Sequence, residues 1–160
     1  MAQIFENDIP EGFSIKGDIA IDTETMGLQL HRDRLCLLQM ANDKGEVFFV
    51  KFNRDNYKAP NLVKLLSSKE GTKIFHFARF DLAAIKKYLN ISLNNIFCTK
   101  VASKLVRTYT DSHGLKDLCR DLLGVNLSKQ FQSSYWGDEN LSKEQCNYAA
   151  KDVLYLHRLK

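Results

Sequence analysis

Apolar residues fall in short continuous runs over the first third of the chain: Ile19-Ala20-Ile21, Leu35-Cys36-Leu37-Leu38-Gln39-Met40 and Val47-Phe48-Phe49-Val50. Turn-forming residues bound each run, Gly27 with His31 to Asp33 in the first gap and Asn42-Asp43-Lys44-Gly45 in the second. Runs of that length between turn signals predict three consecutive strands, the last two joined as a hairpin. The period then changes. Pro60 with Leu62, Val63, Leu65 and Leu66 predicts a short helix, and Lys73 to Phe77 a fourth strand. Phe80 to Tyr88 predicts a second helix, because Leu82, Ile85 and Leu89 repeat every three to four residues. Ile96 to Cys98 reads as a fifth strand, and the remainder as helical. Leu105 closes one helical segment and Leu115, Leu118 and Leu122 stripe another. Ser142-Lys143-Glu144-Gln145 has the S-x-x-Q form of a capping box, so a last helix starts there and carries Ala149, Val153, Leu156 and Leu159 into Lys160 with no Gly or Pro to stop it. Leading strands followed by alternating helices and strands predict a mixed α/β sheet with helices packed on its faces. No repeat, low-complexity tract or linker divides the chain, so residues 1–160 are expected to form one domain.

Composition narrows the class. With 160 residues, 44% of them hydrophobic, and only 2 Pro, the chain buries roughly 68–70% of the surface its unfolded form exposes. That excludes a disordered, collagen-like or disulfide-dependent chain. No stretch approaches the roughly 18 apolar residues of a membrane span, and Glu6, Asp8 and Glu11 stand where a signal peptide carries Lys or Arg. The expectation is a cytoplasmic protein with no membrane partner. Cys36, Cys98, Cys119 and Cys146 lie far apart with no C-x-x-C pair, which suits reduced, buried, small hydrophobes. Lys plus Arg is 23 against 19 acids, and the net charge of +4 favours an anionic partner without requiring one.

Asp22-Thr23-Glu24 places two carboxylates at i and i+2 on one face of the strand that contains Ile19 to Ile21. Two such charges about 4 Å apart repel by about 4 kcal/mol at an effective dielectric near 20, so the pair must face water or hold a cation between its members. Taken alone, the pair reads first as a solvated strand end. Asp81 follows Phe75-His76-Phe77-Ala78-Arg79-Phe80 at a strand-to-helix junction, which also suits an acid favoured by a helix N-terminus. Tyr148 and Asp152 stand one turn apart on the last helix. In combination, Asp22, Glu24, Asp81 and Asp152 supply four carboxylates from a strand, a junction and a helix that would meet at one sheet edge. Such oxygen ligands suit Mg²⁺ or Mn²⁺, and two ions about 3.5–4 Å apart clamp the attacking and leaving oxygens of phosphodiester hydrolysis. Tyr148 would orient or help deprotonate the metal-bound water; a phenol with a pKa near 10 is a poor base by itself, so the metal must do most of the lowering of the water's pKa.

These residues, in this order, resemble the ribonuclease D-like branch of the DEDD 3′–5′ exonucleases, in the variant with Tyr in its third motif. Asp22 and Glu24 match the first motif, Asp81 the second, and Tyr148 with Asp152 the third. Gly27 to Cys36, Lys73 to Leu82, Thr99 to Leu118 and Tyr148 to Lys160 are similar to the nanoRNase C group within that family, short bacterial enzymes that degrade very short RNA. The resemblance implies a ribonuclease H-like fold, two Mg²⁺ or Mn²⁺ ions per site, release of 5′-mononucleotides from dinucleotides especially, and assembly into a homo-oligomeric ring, an octamer. Short RNA is the implied substrate, with single-stranded DNA left open. In that group the residue matching Leu28 wedges between two bases, although a core leucine is the alternative. His76 and Phe80 flank the second motif and are candidates to touch sugar or base, each also readable as core. Lys100, Lys104 and Arg107 recur at helical spacing and are candidates to neutralise phosphate, or form a solvated face.

Two departures qualify the match. Ser133-Ser134-Tyr135-Trp136 stands where relatives tend to read Ser-Ser-Asp-Trp, and relatives continue beyond the position of Lys160. Rival readings are a general RNA-trimming exonuclease, a DNA proofreading module, and a dormant module used only for nucleic-acid binding or assembly.

Overall fold

A computed structural model describes residues 2–54, 56–128, 130–131 and 133–160. Six strands form one mixed sheet: β1 (Gln3–Glu6), β2 (Ile19–Thr25), β3 (Leu35–Ala41), β4 (Val47–Lys51), β5 (Lys73–Phe75) and β6 (Ile96–Cys98), in the spatial order β1-β4-β3-β2-β5-β6. β2, β3 and β4 pair antiparallel in sequence, as the hydrophobic runs predict, and β5 and β6 extend the sheet in parallel beyond β2. The edge strand β1 lies outside the sequence expectation. Only Phe5 of its four residues is buried, so the segment carries no apolar run, and its place is fixed by parallel pairing with β4.

The helices are α1 (Pro60–Ser67), α2 (Arg79–Leu89), α3 (Thr99–Val106), α4 (Leu115–Leu123), α5 (Lys143–Leu154) and α6 (Leu156–Leu159). One core lies on the α1 and α2 side, where Ile21, Leu38, Met40 and Val50 meet Leu62, Leu66, Ile85 and Leu89. On the opposite face Ala20, Ala41 and Ile74 pack against Val153 and Leu156, and Leu37 and Phe49 against Trp136 and Ala149. The sheet is therefore covered on both sides. α5 begins at the predicted capping box: the Ser142 side chain accepts from the Gln145 amide at 3.1 Å while Gln145 accepts from the Ser142 amide at 2.9 Å. The last helix differs from expectation by breaking at Tyr155, yet Ala149, Val153 and Leu156 keep their buried stripe. Leu122, expected in the α4 stripe, is 54% exposed. β5 stops two residues before Phe77, whose φ of +65° turns the chain sharply into α2.

Candidate active site

Strand alternation puts Asp22 and Glu24 on the face covered by α5, and Thr23 on the opposite face toward α2. Tyr148 and Asp152 descend from α5 onto the same strand end. One oxygen each of Asp22, Glu24 and Asp152 lies within 4.8 Å of the others, spacing that a divalent cation of oxygen preference can bridge. Asp81 enters from the first turn of α2, buried, and its Oδ1 accepts from both the Thr23 hydroxyl at 2.6 Å and the Thr23 amide at 3.1 Å. The residue between the two first-motif acids thus orients the second-motif acid.

The electrostatics are those of a cation site. Burial, followed by the charges of Asp81, Asp152 and Glu24, holds the Asp22 carboxyl well above the carboxylate range. Burial, then Asp152 and Asp81, does the same to Glu24. Burial raises Asp81 to about 7 against the opposing hydrogen bonds from Thr23, and raises Asp152 to about 7 against that from Tyr148. Burial and then the nearby carboxylates push the Tyr148 phenol up as well, so it stays neutral. Four acids that resist ionising together release protons when a divalent ion takes their place. The donor set, carboxylates alone, fits Mg²⁺ or Mn²⁺.

These acids and Tyr148 line a cleft of about 730 Å³. Its rim carries Leu28, 84% exposed at the tip of the β2–β3 loop. That loop folds around Asp33, whose Oδ2 accepts from the Gln29 amide at 2.9 Å; a Cβ on Gly27 would come 2.4 Å from the same oxygen. Leu28 therefore belongs to the cleft and not to the core. His76 and Phe80 line the cleft too. The Thr99 hydroxyl donates to the Phe75 carbonyl at 3.1 Å, so His76 Nδ1 donates to Thr99 Oγ1 at 2.9 Å and its Nε2 carries the lone pair. Burial and the neighbouring Lys100 draw His76 down to about 4, leaving a neutral ring.

Arg107 is not brought to the cleft. It is buried beside α4, where it donates to Asp121 at 2.7 Å and to the Ser112 carbonyl at 3.1 Å. Helical spacing with Lys100 and Lys104 could not reveal this, because the partner lies on another helix. Lys100 does reach the cleft, with its ammonium 4.2 Å from the Phe77 ring centroid. Phe77 lines the cleft while 51% exposed, and Ser133 and Ser134 supply hydroxyls from the segment before α5. Phe77 carried no sequence signal beyond adjacency to His76; an exposed aromatic held in the left-handed region is a structural observation.

The profile of a 3′–5′ exonuclease family matches residues 3–160. Ribonuclease D of Gluconacetobacter diazotrophicus is 33% identical over 138 residues, covering 86% of this chain and 35% of that protein. The chain thus spans about a third of the length of that relative. Brucella melitensis NrnC bound to pGG superposes with a TM-score of 0.92 at 51% identity, over 99% of this chain and 77% of that one. The same enzyme with bound Mg²⁺ gives 0.91 at 49% identity over the same shares.

Proposed function

Since the chain belongs to the 3′–5′ exonuclease family and has its ribonuclease H-like fold, we propose that it is a divalent-metal-dependent exoribonuclease that hydrolyses very short RNA, dinucleotides above all, to 5′-mononucleotides. The observation that carries this reading is the convergence of Asp22, Glu24 and Asp152 oxygens within 4.8 Å, with Asp81 in the same cleft. Asp22, Glu24, Asp81 and Asp152 would hold two Mg²⁺ or Mn²⁺ ions. When bound, such ions activate the water and neutralise charge on the phosphodiester. The chain's own side chains do the rest. Tyr148, neutral and one turn from Asp152, orients the attacking water through its hydroxyl. Leu28 inserts between two bases at the rim. His76 Nε2 accepts a hydrogen bond from a sugar hydroxyl or base N–H, and Phe80 packs on the sugar or base.

Short substrates are favoured by likeness to an enzyme bound to pGG, and by one exposed leucine on the rim of the cleft that the four acids line. Self-assembly into a ring belongs to the same proposal: Val101, Leu105, Val106 and Tyr109 expose 55–77% of their surfaces around α3, and copies of the chain would cover them. The test of substrate length is turnover of a 5′-labelled dinucleotide and a roughly 20-residue RNA with Mg²⁺. Rapid loss of the dinucleotide with little shortening of the longer RNA is expected. Efficient shortening of the longer RNA would make the protein a general trimming exonuclease instead.

A further inference from the structure

β3 is buried along its whole length and apolar at every position but one. The exception is Gln39, fully buried and paired directly across the sheet with Asp22. Its Nε2 donates to Asp22 Oδ2 at 3.3 Å, while its Oε1 is buried without a partner among the described residues. An amide in the middle of an apolar strand that satisfies only one of its two ends is a poor core residue. A Leu or Met would fill the same space and leave no orphaned acceptor. The end that is satisfied is the one that meets a carboxylate of the acidic cluster.

We infer that Gln39 is a positioning residue for metal binding: its amide fixes the Asp22 carboxylate in the rotamer that presents its other oxygen to Glu24 and Asp152. This rests on the proposed function, since it assigns Gln39 a role toward the ion those acids hold. Three observations support it. The cross-strand register sets the amide directly opposite Asp22, and its donor reaches that carboxylate. The orientation with Nε2 toward Asp22 is the one that answers an ionised carboxylate, and a ligand must be ionised to hold a cation. Asp81 is held by the Thr23 hydroxyl and amide, whereas the side chain that holds Asp22 Oδ2 is Gln39, from the neighbouring strand. Metal ligands held by an outer hydrogen bond lose affinity when that bond is removed.

The test is Mn²⁺ binding by the full chain, followed by paramagnetic resonance or calorimetry without substrate, for wild type and Gln39→Met. Melting temperatures in EDTA are measured alongside. The dissociation constant of Gln39→Met should rise roughly 10- to 100-fold. Its melting temperature in EDTA should equal or exceed that of wild type, because the donor and the orphaned carbonyl leave together. In an Asp22→Asn background the same change should leave the residual Mn²⁺ affinity unaltered. Unchanged affinity in a folded Gln39→Met would overturn the inference, as would a loss that appears only with a lower melting temperature. Gln39→Leu carries the same comparison if the Met variant does not fold; if neither folds, Gln39 is a core residue and the inference falls. Failure of wild type to bind Mn²⁺ would instead refute the metal site itself.

Discussion

The acidic cluster sets two opposing demands on single residues. Without a cation, Asp22, Glu24, Asp81 and Asp152 destabilise the fold whenever they ionise together; with one, they must ionise. Asp22→Asn relieves the first demand and defeats the second. Its turnover should fall to background, while its melting temperature in EDTA at pH 8 should rise, by about 2–4 °C for each ~1 kcal/mol of repulsion removed. A variant that retains wild-type turnover would remove Asp22 from the site. The same cluster makes stability depend on pH. Asp81 and Asp152 titrate near 7 in the folded chain and near 3.9 when unfolded, so their contribution is fully present below about 4 and lost as pH rises through 7. His76, held down to about 4, is neutral in the folded state throughout this upper range. Thermal melts in EDTA should therefore show stability falling from pH 6.5 to 8, and saturating Mg²⁺ should flatten that fall; a rise over this range in EDTA would contradict the assignment.

At the level of elements, α5 does two jobs from one cap. Gln145 closes the capping box, and its Nε2 also donates to Ser134 Oγ at 2.9 Å and to the Tyr135 carbonyl at 3.1 Å, tying the cleft wall to the helix that carries Tyr148 and Asp152. Arg34 adds a tie to the Gly137 carbonyl at 3.3 Å. Ser142→Ala should lower stability by about 1 kcal/mol in denaturant unfolding. Gln145→Ala should cost more and raise KM as well, because it frees the wall in addition to the cap. Arg107→Met should lower the melting temperature through loss of its bonds to Asp121 and Ser112, with KM for short RNA unchanged; a KM effect without destabilisation would return Arg107 to the substrate. These elements also mark what the sequence made legible. Continuous apolar runs identified β2, β3 and β4, and the S-x-x-Q cap located α5, because burial and capping leave local patterns. β1 left none, since one inward residue in four defines no period, and the break at Tyr155 is invisible where the buried stripe runs straight through it.

The molecule as a whole is a two-faced sheet whose strand β2 ends in the acidic cluster. Spacing alone placed Asp22 and Glu24 on one face, and Tyr148 and Asp152 on one side of a helix. That these meet depends on α5 crossing β2, a long-range fact that no local pattern encodes. The resemblance to a known family supplied it. Neither source reached Gln39 or Phe77: one looks like a stray polar residue in a strand, the other like a core aromatic, until burial, exposure and partners are known. Assembly belongs to this scale too. Sedimentation should report a multiple of the 18.4 kDa chain, and replacing Leu105 and Val106 by Glu should lower that multiple; a wild-type monomer at micromolar concentration would refute self-assembly.

The most direct test of the central claim is a time course on a 5′-labelled short RNA with a free 3′ hydroxyl, run with Mg²⁺, with EDTA, and with Asp152→Asn. Loss of one nucleotide at a time from the 3′ end, release of 5′-mononucleotides, and no turnover in EDTA or by the variant are expected. Turnover that persists in EDTA, or cleavage at internal positions, would contradict it.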